Sequence, residues 1–223
     1  MAYIDLMSSL HKRTKRNYLD RVNDAEYPKE KAAMLAKKFD YEYWDGSRKI
    51  CYGGYSYQHG RWDRVIKEMI KRYNLRSNPK ILDIGCGKGY FLYDCTRLIP
   101  DAEVYGLDIS EYAIANSKEE IKDRLQVGSA TKLPWNDCEF DLVISINTLH
   151  NLYTYDLEKA LKEIERVGKE NKYICVESYR NEKEKVNLLY WQVTCEEFNT
   201  PKEWEWWFDK TGYTGDYSFI YFE

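Results

Sequence analysis

The sequence predicts an α/β fold: a doubly wound, mostly parallel sheet with helices on both faces, preceded by an N-terminal helical cap. Two observations carry this prediction. From residue 80 onward, short apolar runs alternate with segments whose apolar residues recur at helical spacing, which is typical of parallel strands joined by helices. Before that point, residues 41–60 mix tyrosines and glycines with neither period, which indicates a loop or lid.

The elements of this fold follow in order along the chain. Pro28 opens a predicted helix that reaches about residue 38, and the apolar stripe after Arg61 predicts a helix that ends before Pro79. The predicted strands lie at 80–84, 103–107, 125–128, 141–146 and 173–177, with helices near 90–99, 111–122 and 157–167. This alternation predicts a sheet whose strand ends collect on one edge.

The part of the chain after residue 177 is less regular. Residues 181–198 fit a helix or a strand equally well, whereas Thr200-Pro201 opens a helix and 217–222 form one closing strand. We expect a helical segment and lid at 1–60, followed by the main domain at 61–223.

Composition excludes several classes of protein. The chain has 223 residues, with 34 basic and 37 acidic side chains, so a net charge of -3 provides no overall attraction for nucleic acid. The basic cluster at 11–16 is interpreted as a solvated helix face, with phosphate contact as the alternative. The six cysteines are scattered without a Cys-x-x-Cys pair, and neither a signal peptide nor a membrane span is apparent. We therefore expect a cytoplasmic protein without a membrane or metal partner.

The most informative segment is the glycine loop after the first predicted strand. An apolar run ends in Asp83, and Gly85, Gly87 and Gly89 then alternate with other residues. Glycines without side chains let backbone amides approach a nucleotide-like ligand. Asp108 closes the next strand, where a carboxylate can accept two hydrogen bonds from a ribose diol.

Two ligands are compatible with such a loop. Dinucleotide enzymes carry G-x-G-x-x-G, with a pyrophosphate on the helix N-terminus. Here the spacing is G-x-G-x-G, position 90 is Tyr, and Asp83 is poorly suited to a pyrophosphate but suited to a cation. A cationic nucleotide-like ligand is therefore favoured over the pyrophosphate of a nicotinamide-dependent oxidoreductase.

At these residues the chain resembles the class I S-adenosylmethionine-dependent methyltransferases, over about residues 80–178. The resemblance implies that S-adenosyl-L-methionine is the cofactor and that the loop and two later motifs hold it. The implied cofactor-binding residues are Asp83, Gly85, Cys86, Gly87, Gly89, Asp108, Ile109, Ser129, Ala130 and Asn147. Members of this family usually end with two antiparallel strands, so a single closing strand implies a shortened sheet edge.

The resemblance also assigns roles to these residues. Asp83 and the loop would hold the methionine end, Asp108 the ribose hydroxyls, and Ile109 one face of adenine. Ser129 stands where many relatives have Asp, which weakens the adenine contact, although the Ala130 amide can still reach a ring nitrogen. Gly89 would let the following helix pack closely.

Methyl transfer from a sulfonium needs alignment and, for some acceptors, a proton acceptor. His150 follows the fourth predicted strand and is the first candidate general base, with a structural role as the alternative. His59 in the lid is the second candidate.

Residues of the lid and of two strand ends are the candidate acceptor site. The alternatives are a surface loop packed on the following helix, and asparagines that only cap a turn. The candidate substrate-binding residues are Tyr52, Tyr55, Tyr57, Arg61, Asn151 and Arg180.

The resulting hypothesis is methyl transfer to an oxygen or nitrogen of a small polar acceptor, with phosphate-bearing compounds and sugar nucleotides as candidates. A protein or RNA methyltransferase is the alternative, followed by a nicotinamide-dependent oxidoreductase and a non-catalytic cofactor-binding protein. The oligomeric state is left open by the sequence.

Overall fold

The computed structural model describes residues 1–10, 17–75 and 77–223, so the basic cluster at 11–16 lies outside the described residues. The strands are β1 (Lys80–Ile84), β2 (Glu103–Asp108), β3 (Leu125–Val127), β4 (Phe140–Ile146), β5 (Gly168–Glu177) and β6 (Asp216–Ile220). They form one sheet in the order β3-β2-β1-β4-β5-β6, and every neighbouring pair is parallel. The predicted α/β class with a parallel sheet is confirmed.

The helices surround this sheet and its N-terminal extension. They are α1 (Tyr18–Val22), α2 (Lys29–Ala36), α3 (Tyr41–Trp44), α4 (Asp63–Arg72), α5 (Tyr90–Leu98), α6 (Glu111–Ala115), α7 (Thr154–Val167), α8 (Glu182–Trp191) and α9 (Pro201–Thr211), with 3-10 turns at Glu119–Arg124 and Leu149–Asn151. The helix predicted at 111–122 is shorter, because Asn116 and Ser117 donate side-chain hydrogen bonds back to the carbonyl oxygens of Tyr112 and Ile114.

Two hydrophobic cores bury the two faces of the sheet. One core includes Val65 of α4, Phe91 of α5 and Leu188 of α8, and the other includes Leu161 of α7 and Trp204 of α9. The apolar stripe predicted after Arg61 is thus the buried face of α4. The undecided stretch at 181–198 contains α8, whose first turn is capped by the Asn181 side chain.

The closing strand β6 runs parallel to β5, and no second closing strand occurs among the described residues. The N-terminal segment covers the outer edge of β6, because the Ile4 amide donates to the Tyr217 carbonyl oxygen at 2.8 Å. This pairing satisfies backbone groups that an edge strand would otherwise expose.

The order of the strands determines where a ligand can bind. The chain continues from β1 to β2 and β3 on one side of β1, and it then crosses to β4 on the other side. A crevice therefore opens beyond the carboxyl ends of β1 and β4, where the strand order reverses. The segment at 39–60 packs over this crevice through a third apolar cluster, which includes Tyr43, Trp44 and Ile50 together with Ala113 and Val193. In the described part of the chain, no helix combines the length and apolar character needed to cross a bilayer.

Candidate active site

A cavity of about 780 Å³ lies between the carboxyl ends of β1, β2, β4 and β5 and the segment at 39–62. This volume is in the range of sites that bind a cofactor or drug-sized ligand. Most of the site residues predicted from the sequence line it: Tyr52, Tyr55, Arg61, Asp83, Gly85, Cys86, Gly87, Asp108, Ile109, Ser129, Ala130, Asn147, His150 and Asn151.

The glycine loop forms the floor of the cavity with bare backbone. Gly85 and Gly87 have φ angles of 81° and 54°, in the left-handed region that favours glycine. A Cβ on Gly85 would overlap the side chain of Thr148, and a Cβ on Gly87 would lie 2.8 Å from the Trp44 ring. The loop therefore requires glycine at both positions.

Two buried carboxylates stand beside this loop. Burial and the neighbouring charge of Asp108 raise the pKa of Asp83 from 3.8 to about 8, and its Oδ1 accepts no hydrogen bond from the described residues. Asp108 accepts hydrogen bonds from the amides of Gly87 at 2.7 Å and Ser110 at 2.8 Å. Burial raises the pKa of Asp108, while these backbone hydrogen bonds oppose the rise.

The far end of the cavity carries the residues assigned to adenine by resemblance. Ile109 is 58% exposed and follows β2, so its side chain offers an apolar surface to a ligand. The Ser129 hydroxyl lies 2.8 Å from that of Thr131, with which it shares a hydrogen bond. Ser129 and Ala130 both line this end of the cavity.

Trp44 covers the glycine loop and was not among the predicted site residues. Its indole ring lies over Gly87, and its Nε1 donates to Ser110 Oγ at 2.9 Å. Because Trp44 is buried and lines the cavity, it excludes water from the backbone groups below it. The only signal in the sequence was its place at the start of the aromatic stretch.

An ion pair fixes the lid to the same loop. Lys88 Nζ donates to Asp45 Oδ2 at 2.6 Å and to the Tyr55 carbonyl oxygen at 2.9 Å. Asp45 also accepts from the Tyr55 amide at 2.9 Å and from the Tyr112 hydroxyl at 2.8 Å. Burial alone would raise the pKa of Asp45, but these hydrogen bonds hold it below its ordinary value.

Lys88→Met is expected to release the lid from the loop. Asp45 would then keep its burial but lose its cation, which should lower the free energy of unfolding by about 1–3 kcal/mol. Urea denaturation measures this change, and amide hydrogen exchange over residues 45–56 should become faster. Lys162→Met is the control, since its exposed ion pair with Glu158 should contribute under about 0.5 kcal/mol. Equal effects of both substitutions would contradict the assignment.

His150 lines the cavity, but both of its ring nitrogens face Glu177. The Glu177 amide donates to Nδ1 at 3.3 Å, so Nε2 carries the proton and lies 3.5 Å from Glu177 Oε2. Burial lowers the pKa of His150 to about 3. This geometry makes His150 a neutral positioning group for Glu177 rather than a ready proton acceptor.

Glu177 is the functional candidate that the sequence reasoning missed. It is the last residue of β5, is buried, and lines the cavity beside His150. Gln192 Nε2 donates to its Oε1. Its position at a strand end next to β4 was the available signal.

Four predicted site residues lie outside the cavity. His59 is exposed, and the Tyr57 hydroxyl donates to Oδ1 of the buried Asp94 in α5 at 2.6 Å, outside the cavity lining. Arg180 pairs with Glu184 and Glu223, each at 2.5 Å, so its guanidinium faces away from the site. Gly89 instead begins α5, where a Cβ would lie 2.8 Å from Ile121 and Leu125 side-chain atoms, in agreement with the close packing predicted for it.

The lid wall of the cavity carries arginines. Arg48 and Arg61 line both the main cavity and an adjoining one of about 210 Å³. Arg48 donates to the carbonyl oxygens of Cys51 at 2.5 Å and Tyr52 at 3.3 Å, and Arg61 donates to Gln58 Oε1 at 3.3 Å. Neither guanidinium is paired with a carboxylate of the described residues, so both present uncompensated positive charge.

Among the residues that the structure describes, no group of three or more His, Cys, Asp or Glu side chains is arranged to hold a metal ion.

The parallel sheet, the bare-backbone loop and the two neighbouring carboxylates define a Rossmann-like α/β domain with a ligand-sized cavity at its switch point. Residues 75–212, more than half of the chain, match the family model described as "Methyltransferase domain", and the chain belongs to this family. The demethylmenaquinone methyltransferase of Symbiobacterium thermophilum is 30% identical over 162 residues, covering 68% of this chain and 61% of that protein. The Anoxybacillus flavithermus enzyme of the same name is 34% identical over 120 residues, half of each chain. The chain thus spans about half to three fifths of the length of these relatives.

Solved structures show the same fold. The YcgJ protein of Bacillus subtilis has a TM-score of 0.54 at 24% identity, with 66% of each chain covered. Phosphoethanolamine N-methyltransferase 2 of Haemonchus contortus, in complex with phosphomonomethylethanolamine and S-adenosylhomocysteine, has a TM-score of 0.52 at 19% identity, covering 89% of this chain and 45% of that one. The predicted class I methyltransferase fold is confirmed.

Proposed function

We propose that this methyltransferase uses S-adenosyl-L-methionine to methylate a nitrogen or oxygen of a small polar acceptor that carries an anionic group. One observation carries the proposal: a single cavity joins a bare glycine loop with two carboxylates to a wall that bears arginines. The first part suits a cationic nucleoside and the second an anionic acceptor. The proposal includes action on a small molecule rather than on nucleic acid, since the net charge of the chain is -3.

The residues of the cavity fit this cofactor. Asp83 Oδ1 is buried without a hydrogen-bond donor from the described residues, and the ammonium group of a bound amino acid would supply one. Gly85 and Gly87 leave space that a Cβ would fill, and Asp108, which lines the same cavity, would accept the ribose hydroxyls. When bound, the cofactor supplies a methyl group on a sulfonium, which needs no further activation.

The chain's own contribution is then alignment and exclusion of water. Trp44 and the Lys88–Asp45 ion pair hold the lid over the glycine loop, and a closed site strengthens each electrostatic contact inside it. His150 is neutral and orients Glu177, which lies at the acceptor side of the cavity. Glu177 would act before and after the transfer, by holding the acceptor and by accepting its proton.

The arginines support an anionic acceptor, such as a phosphate-bearing compound or a sugar nucleotide. A guanidinium matches the geometry of phosphate or carboxylate oxygens and remains charged at every physiological pH. The names of the sequence relatives suggest a quinone precursor as the alternative acceptor. An acceptor screen with methyl-labelled donor separates the two, and labelling of only the quinone precursor would reject the anionic acceptor.

Asp108→Ala tests the cofactor assignment directly. Loss of one or two hydrogen bonds to the ribose should weaken S-adenosylhomocysteine binding by about 1–3 kcal/mol, measured by isothermal titration calorimetry. Asp137→Ala is the control, because this carboxylate is exposed and lies outside the cavity. Unchanged affinity in a folded Asp108→Ala protein would contradict the ribose contact, and binding of NAD instead would reject the function.

A further inference from the structure

We propose that the acceptor is an amine, recognised by hydrogen-bond-accepting oxygens of Asn147, Asn151 and Glu177. This inference rests on the proposed function and identifies the chemical class of its substrate. The three residues, here called the acceptor wall, lie at the carboxyl ends of β4 and β5 and line the main cavity.

The acceptor wall stands beside the glycine loop. Thr148, between Asn147 and the 3-10 turn, packs so closely on Gly85 that a Cβ there would overlap it. Asn147 itself has a φ of 59°, a strained conformation for a side-chain-bearing residue, and its amide is held by the Cys175 carbonyl oxygen at 2.9 Å. The wall is therefore fixed next to the place where the cofactor is held.

Two side-chain oxygens of this wall lack a hydrogen-bond donor among the described residues. The side-chain oxygens of Asn147 and Asn151 are buried and accept no hydrogen bond from the described residues. Buried polar atoms in native proteins are nearly always satisfied, so a ligand is expected to supply the donors. Glu177 adds a carboxylate, whose two oxygens together offer about four acceptor positions.

Several donors in and beside the acceptor wall are used within the protein. Asn151 Nδ2 donates to the Asn147 carbonyl oxygen at 3.4 Å, which orients the Asn151 Oδ1 away from that contact. The Thr148 hydroxyl donates to the Ile146 carbonyl oxygen at 3.2 Å, and Gln192 Nε2 donates to Glu177. A wall with two unsatisfied asparagine oxygens suits a group rich in N–H, because an ammonium carries three donors and a hydroxyl one.

The arginines of the lid complete the description of this substrate. Arg48 and Arg61 line the same cavity, so one acceptor site holds both guanidinium groups and hydrogen-bond-accepting oxygens. An acceptor with an amine at one end and an anionic group at the other satisfies both kinds of group. Small aminoalkyl phosphonates are stable probes of this class.

The experiment measures binding rather than turnover. In the presence of saturating S-adenosylhomocysteine, the intact protein is titrated with 3-aminopropylphosphonate, 3-hydroxypropylphosphonate and propylphosphonate. The amine should bind at least about tenfold more tightly than propylphosphonate, with the alcohol between them. Equal affinities, tighter binding of the alcohol, or no binding by any probe would overturn the inference.

Variants of Asn151 then assign the preference to the wall. Asn151→Leu should reduce the amine preference to about threefold or less, whereas Asn151→Asp keeps the acceptor oxygens and should retain it. Asn116→Leu is the matched control, because Asn116 is exposed outside the cavity, and it should leave the preference unchanged. A preference that survives Asn151→Leu would contradict the role of this residue.

Failure of the inference and failure of the proposed function give different results. If S-adenosylhomocysteine does not bind the folded wild-type protein, the proposed function is rejected, and the inference with it. If S-adenosylhomocysteine binds but the amine has no advantage, only the amine assignment is rejected. Arg61→Gln adds an internal reference, since this substitution should weaken the binding of all three phosphonates by a similar factor.

Discussion

Asp83→Asn is expected to weaken S-adenosylhomocysteine binding by about ten- to a hundredfold at pH 8, and to remove most of its dependence on pH. The reason is the unusual carboxyl of Asp83. Burial and the charge of Asp108 raise the pKa of Asp83 to about 8, so most of this group is protonated at pH 7 in the ligand-free protein. A bound ammonium group favours the carboxylate, so binding must release the proton.

The direction of the pH effect follows from this proton release. Below the pKa of Asp83, each unit of decreasing pH makes release of the proton harder, so the affinity should fall toward about tenfold per unit between pH 7.5 and 6. Above about pH 8.5 the affinity should become constant. Isothermal titration across this range measures the effect, and a flat profile in the wild-type protein would contradict the contact between Asp83 and the ammonium group.

The same substitution should stabilise the empty protein. A raised pKa means that the folded state binds this proton more tightly than the unfolded state. The contribution of Asp83 to the free energy of unfolding therefore falls as pH rises between its ordinary pKa of 3.8 and about 8. At pH 8, Asp83→Asn should raise that free energy by roughly 1–3 kcal/mol, measured by urea denaturation. Asp156→Asn, which alters a partly exposed carboxylate of α7 outside the cavity, should change stability by under about 0.5 kcal/mol and leave affinity unchanged.

The cofactor side of the site could be predicted from the sequence because its chemistry is local. Asp83, Gly85 and Gly87 lie within five residues of each other, and Asp108 ends the next strand along the chain. Strand periodicity brings such residues to one edge of a parallel sheet without any knowledge of the distant chain. The α/β class and the position of the cavity followed from the same pattern.

The lid side could not be predicted in this way. The contacts of Trp44 with Ser110 and of Asp45 with Lys88 join residues separated by 66 and 43 positions, and they depend on how the N-terminal segment docks. Aromatic composition indicated a lid but not which ring covers the loop. Tyr57, which belongs to the same aromatic stretch, is not part of the cavity lining because its hydroxyl is held by Asp94 of α5.

Arg180 and His150, which follow strand ends, also have side-chain positions that the sequence did not predict. Arg180 follows β5 by three positions, but Asn181 caps α8 and so brings Glu184 within 2.5 Å of the arginine. His150 follows β4 as predicted, yet the 3-10 turn at Leu149–Asn151 directs its imidazole to the Glu177 backbone. Local helix starts and turns, which periodicity does not encode, decide where these side chains point.

Gly85→Ala is expected to reduce S-adenosylhomocysteine affinity by at least about a hundredfold, because it changes both the conformation and the surface of the loop. The native φ of 81° strains any residue with a Cβ, and that Cβ would lie 2.6 Å from the Cβ of Thr148. To relieve this collision, either the loop must move into the space of the ligand or Thr148 must move. Movement of Thr148 is opposed by the hydrogen bond from its hydroxyl to the carbonyl oxygen of Ile146 at the end of β4. Isothermal titration gives the affinity, and urea denaturation gives the accompanying loss of stability.

Gly212→Ala separates the collision from the backbone strain. Gly212 caps α9 with a φ of 71°, and a Cβ there would meet nothing within 4 Å. This variant should lose about 1 kcal/mol of stability and keep its affinity for S-adenosylhomocysteine. Adding Thr148→Gly to Gly85→Ala removes the collision but leaves the strain, so part of the affinity should return. If the Gly85→Ala protein binds S-adenosylhomocysteine as tightly as the Gly212→Ala protein does, the loop does not contact the ligand. Close approach of the ligand is what should make the affinity sensitive to a methyl group on this backbone.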